Sequence, residues 1–74
     1  MRDKHDVEVK IGDKLIGIDM DMNPPLHIGK IAWLSVGSAI IISEAYTDRR
    51  YRTFYSYEFE LWTPERELIA KLEI

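Results

Sequence analysis

The chain has 74 residues, 46% hydrophobic and 31% charged, with ten Lys and Arg against thirteen Asp and Glu and a formal net charge of −3. A chain this short buries only about 60% of the surface its unfolded form exposes, which excludes a second domain and a substrate cleft walled on all sides. The apolar content excludes disorder, the acidic balance argues against general duplex DNA binding, and the lack of cysteine excludes disulfides, thiolate catalysis and zinc–thiolate sites.

Residues 1–6 are mostly charged and lead into no apolar stretch of the kind a signal peptide needs. Val7, Val9 and Ile11 then alternate with Glu8 and Lys10, the period-2 pattern of a half-buried strand. Gly12-Asp13 marks a turn. From Leu15 the chain resumes as a strand that places Ile16, Ile18, Met20 and Met22 on one face and Asp19 and Asp21 on the other, until Asn23-Pro24-Pro25 stops it.

Residues 28–34 read as a second long strand, with Gly29 at a bulge or a close backbone approach. Val36-Gly37-Ser38 is a tight turn, and the β-branched run at 39–43 is the strand expected to be most buried. Its core, Ala39-Ile40-Ile41-Ile42, is as long as any apolar run in the chain and falls far short of the ~20 residues of a membrane span. Residues 46–50 read as an exposed loop, and 51–62 as one or two aromatic-rich strands broken near Ser56-Tyr57. Thr63-Pro64-Glu65 starts a helix over about 64–73: threonine caps, proline suits the first position, and the acids favour the positive end of the dipole. Leu68, Ile69 and Leu72 would form its apolar face. A terminal strand is the rival, because Leu68, Ala70, Leu72 and Ile74 also alternate; the cap favours the helix.

These elements predict a mainly β fold, a small five-stranded antiparallel barrel over about 7–62 with a short C-terminal helix, in one domain of residues 1–74. Gly12-Asp13-Lys14-Leu15, Ile28-Gly29-Lys30-Ile31, Ile40-Ile41-Ile42, residues 51–54 and Glu58-Phe59-Glu60-Leu61-Trp62 together resemble an SH3-like barrel of the KOW and Tudor-type group of bacterial and phage proteins. The resemblance implies a single helical turn near residues 56–58, a ligand groove bordered by the loop between the first two strands, and no place in the pattern for the tail from Thr63.

Asp19-Met20-Asp21-Met22-Asn23 opens like a calcium loop, but Pro24 stands where glycine is needed and Lys30 where a bidentate glutamate is needed. His5 and His27 have no ligand spacing, and no serine sits in a nucleophile elbow. Glu58 and Glu60 would share a strand face, but paired carboxylates need a cleft that perturbs them. No enzyme, cofactor or metal is expected.

Tyr46, Arg49, Arg50, Tyr51, Arg52 and Tyr55 combine planar charged donors with flat rings. That pattern suits a protein hot spot, a single-stranded nucleic acid, or a solvated hairpin tip. Met20 and Met22 form a second candidate, since methionine adapts to varied partners, although both also suit a core. His27, at a loop end, reads as an exposed contact residue, and Trp33 and Trp62 read as core or half-buried sheet residues. The expectation is a cytoplasmic, non-enzymatic module that binds a larger protein as an adaptor or inhibitor. A nucleic-acid binder and a homo-oligomeric structural subunit are the alternatives; a small domain without staples relies on well-fitted packing or on a partner chain, which leaves room for a homodimer.

Overall fold

The structure is a computed structural model that describes residues 1–44 and 51–74. Five antiparallel strands, β1 (Lys14–Ile18), β2 (Leu26–Ser35), β3 (Ser38–Ser43), β4 (Tyr51–Tyr55) and β5 (Phe59–Leu61), precede one helix, α1 (Pro64–Glu73). They form a single sheet in the order β4-β3-β2-β1-β5. The fold is mainly β, a curled half-barrel carrying a short C-terminal helix.

Alternation sorts the strands into two faces. The inner face gathers Leu15, Ile31, Ala39, Ile41, Phe54 and Phe59 into one core, joined by Val9 from the N-terminal segment and flanked by Met1, Leu34 and Leu61. Two glycines allow the curl. A Cβ on Gly17 would stand 2.6 Å from the Phe54 ring, so β4 reaches across the inner face and rests on the bare backbone of β1. A Cβ on Gly29 would lie 2.0 Å from the Ile42 carbonyl oxygen, so β2 and β3 approach as only glycine permits. Close approach is therefore the role of Gly29. The bulge lies further on, where Ile31 pairs with Ile41 but Trp33 pairs with Ile40, which leaves Ala32 as the extra residue.

The predicted strand at 7–11 does not form. Residues 1–13 make an arm with one isolated bridge, Arg2 to Glu8, and only Val9 of the three alternating residues is buried. Val7 and Ile11 are exposed because the arm folds around the Asp3 side chain rather than joining a ladder. Asp3 accepts hydrogen bonds from the His5 and Val7 amides at 2.9 and 3.0 Å and from Leu61 at 3.2 Å. The Lys4 amide donates to the Phe59 carbonyl, so the arm closes the free edge of β5.

β1 also stops sooner than alternation predicts, at Ile18. The Asp19 side chain accepts from the Asp21 amide and its carbonyl accepts from Met22, a local turn that competes with the strand. Where a single helical turn is expected, residues 56–58 form a hydrogen-bonded turn, with the Glu58 amide donating to the Tyr55 carbonyl. Helix α1 starts as predicted: Thr63 caps it, its hydroxyl accepting from the Arg66 amide, and Pro64 occupies the first turn. The helix buries Ala70 rather than its leucines. It lies over the outer face of β1 and β5, anchored by Arg66 to the Leu61 carbonyl and by the Trp62 indole to Glu67.

Candidate functional site

Strand partners share a face, and the rows across β2, β3 and β4 define the side opposite the core. One row is Lys30, Ile42 and Tyr51; the next is Trp33, Ile40 and Thr53; the third is Ser35, Ser38 and Tyr55. Helix α1 covers Ile16 on β1, which is buried, but stops short of these rows. Trp33 is 64% exposed, Tyr51 61% and Tyr55 54%. Tyr57 extends the surface, its ring parallel to that of Tyr55 with centroids 6.0 Å apart. Ile40 and Ile42 lie half-buried between the rings.

Trp33 owes its position to the bulge. Ile31 faces the core, and strict alternation would send Trp33 there too. The extra residue at Ala32 reverses the phase, so Leu34 packs on the core and the indole turns outward. Its reading as a core or half-buried residue is corrected accordingly, and nothing in the sequence pattern announces this bulge. Trp62 is half-buried, with Lys14 Nζ 4.3 Å from its ring centroid and also 3.5 Å from Glu44.

The predicted contact residues are dispersed. Tyr46, Arg49 and Arg50 lie outside the described residues. Tyr51 and Tyr55 stand exposed on the outer face. Arg52 pairs with Ile41 and points inward, half-buried, donating to the Tyr51 carbonyl. Met20 is 71% exposed, against the core reading, in the turn after β1. Met22 is half-buried in the same turn. That turn sits at the opposite end of β2 from Trp33, roughly 20 Å away along the strand.

His27 is the clearest correction. It pairs with Gly17 on the inner face and is fully buried, so it cannot touch a partner. Its Nδ1 lies 2.9 Å from the Ser43 hydroxyl, and its ring meets Phe54 at 5.9 Å between centroids. Burial, and then the positive charge of Arg52, push its pKa below the ordinary histidine value. Leu26 resumes the strand early enough to carry His27 into the ladder, so the loop ends two residues sooner than the sequence suggests.

A cleft of about 320 Å³ runs between the arm, β5 and α1, lined by Lys4, His5, Ile16, Glu60, Arg66 and Ile69 among others. Glu60 sits at its centre, 2.6 Å from His5 Nε2, 3.7 Å from Lys4 Nζ and 4.0 Å from Arg66 Nε. The carboxylate therefore ties arm, sheet and helix together. Glu58 lies in the turn rather than on the strand face, and its carboxylate accepts from the Tyr55 amide. Among the described residues no three His, Asp or Glu side chains converge to hold a metal ion. No helix of the described chain is long and apolar enough to cross a membrane.

Both sheet edges are guarded. The arm covers β5, and Glu58 takes both the amide and the carbonyl of Tyr55 on β4, while the Arg52 guanidinium takes the Tyr51 carbonyl. An added strand would find few free groups there. Among the described residues, the outer face of β2–β4 and the outward side of α1 are left open for contact. No family model, curated protein or solved structure matches the chain.

Proposed function

We propose that the protein is a non-enzymatic protein-interaction module that binds through the outer face of β2, β3 and β4. The observation that carries this reading is the exposure of Trp33, Tyr51 and Tyr55 on one side of three adjacent strands. Tyr and Trp are the residues that dominate binding energy at protein interfaces, because each buries a large rigid area at low entropic cost. The strand order and the tight turn before β5 support an SH3-like barrel architecture, with the face serving as the docking surface.

Charge favours a protein over a nucleic acid. The three rows carry one charged residue, Lys30, and the whole chain is acidic, whereas phosphate binding needs several cations on the contact face. The parallel Tyr55 and Tyr57 rings keep single-stranded nucleic acid as a second reading, since bases stack on such platforms.

A tagged full-length chain, captured from nuclease-treated lysate of cells that also make an untagged copy, tests the reading. Retention of a stoichiometric protein, and its loss in Trp33→Glu, is the expected result. Captured material that vanishes with nuclease would promote nucleic acid, and equal capture by Trp33→Glu would move the site off this face.

A further inference from the structure

Helix α1 leaves its own apolar face uncovered. Ala70 turns toward the sheet, so Leu68 and Leu72 turn away from it, 62% and 79% exposed, while Ile69 lies at the side and lines the cleft toward the arm. The outer side of the sheet is therefore a step. One half, over β1 and β5, is raised by the helix and capped with aliphatic side chains. The other half, over β2–β4, is bare and aromatic. A cleft of about 230 Å³ between Leu26 and Ile28 on β2 and Glu67 and Lys71 on α1 marks the riser.

The dimensions of this step match the chain's own helix. Neighbouring strands lie about 4.8 Å apart, so the three bare strands span roughly 14 Å, and a helix with its side chains is about 10–12 Å across. The raised half therefore fits the recess of another molecule with the same profile. From the structure we infer that two copies of this chain pair face to face about a two-fold axis. The Leu68 and Leu72 stripe of each copy lies on the Trp33, Ile40, Ile42 and Tyr51 surface of the other, giving two sheets with two helices side by side between them. The pairing rests on the docking face proposed above and names its occupant.

Three arguments favour a second copy over a foreign helix. A foreign helix on the bare face would leave the stripe of α1 in water, whereas reciprocal pairing covers both patches at once, as a two-fold interface requires. Leu68 and Leu72 are 62% and 79% exposed on the stripe, and Trp33, Tyr51 and Tyr55 are 64%, 61% and 54% exposed on the face, so the two patches taken together approach the order of the ~800 Å² per partner that a stable interface buries, and either patch alone falls well short of it. One charge pair also complements: Glu65, one turn before Leu68 on the stripe, is exposed on the helix, and Lys30 is exposed on the sheet.

Sedimentation equilibrium over roughly 5–500 µM tests the pairing, with Leu72→Glu and Trp33→Glu as variants at exposed positions whose folding is checked by circular dichroism. The wild type should dimerise, and each variant alone should dimerise at least tenfold more weakly, because each damages both contacts of its own homodimer. Mixing the two variants should restore association. In the mixed dimer both lesions fall in one contact, and the other joins an intact stripe to an intact face. A wild type that stays monomeric throughout, or a mixture no tighter than either variant, would overturn the pairing. If lysate capture still depends on Trp33 in that event, the docking face stands and its occupant is a foreign protein.

Discussion

The contact between Phe54 and Gly17 closes the half-barrel, and it yields a sharp prediction. In Gly17→Ala the new methyl would lie 2.6–2.7 Å from three carbons of the Phe54 ring, where carbon atoms ordinarily rest about 3.5–4.0 Å apart. The ring or the strand must move by about 1 Å, an overpacking cost of about 1–3 kcal/mol. Phe54→Leu alone removes part of a fully buried ring and should cost about 1–2 kcal/mol. Because leucine lacks the Cε1 and Cζ atoms, two of the three in the clash, the double variant should be more stable than the sum of the two losses by about 1–2 kcal/mol. Gly29→Ala supplies the contrast. Its methyl meets the Ile42 carbonyl, which is backbone, so Phe54→Leu should leave that loss unchanged within about 0.5 kcal/mol. A chain of this size has about 4–11 kcal/mol of stability in total, so urea unfolding at constant m-value resolves these effects. Additive losses for Gly17→Ala and Phe54→Leu would refute the closure of β4 over β1.

Two further predictions concern the arm and the buried histidine. Burial raises the pKa of Asp3, but amide bonds from Val7, Leu61 and His5 outweigh it and hold the carboxyl below its ordinary 3.8; stability tied to it is complete above pH 3.8 and lost as pH falls through the lower folded value. Asp3→Asn, which replaces one acceptor oxygen with a donor, should cost about 2–3 kcal/mol at pH 7 and remove that acid dependence, as acid titration of unfolding checks. For His27, folding favours the neutral ring, so stability should fall as pH drops below the unfolded value of 6.5, by up to about 1.4 kcal/mol per pH unit. Unfolding measured from pH 8 to 5 on the wild type and His27→Gln should show that slope only in the wild type; equal slopes would place the titration elsewhere.

The strands were legible because glycine and proline punctuate them: Gly12, Pro24-Pro25 and Gly37 all fall between elements. The helix was legible from its cap. The site was legible only in part. The exposure of Tyr51 and Tyr55 was recognisable, but that of Trp33 was not, because a bulge at Ala32 reverses the strand phase without any glycine to signal it. His27 was misread because loop and strand meet within two residues of it. The arm deceived for a different reason: Val7, Val9 and Ile11 alternate, yet the Asp3 carboxylate takes the His5 and Val7 amides and the Val9 amide turns back to the Met1 carbonyl, so the arm folds on itself. The leucines of α1 carry a helical pattern that says one face is apolar, but not that this face points away from its own sheet.

Hydroxyl-radical footprinting of the protein in its associated state, compared with the dilute chain, tests the central claim most directly. Trp33, Tyr51 and Tyr55 should become protected. Met20, which is as exposed as they are but lies at the far end of β2, should react equally in both states. Protection of Met20 with Trp33 left reactive would contradict the account and place the working surface at the turn after β1.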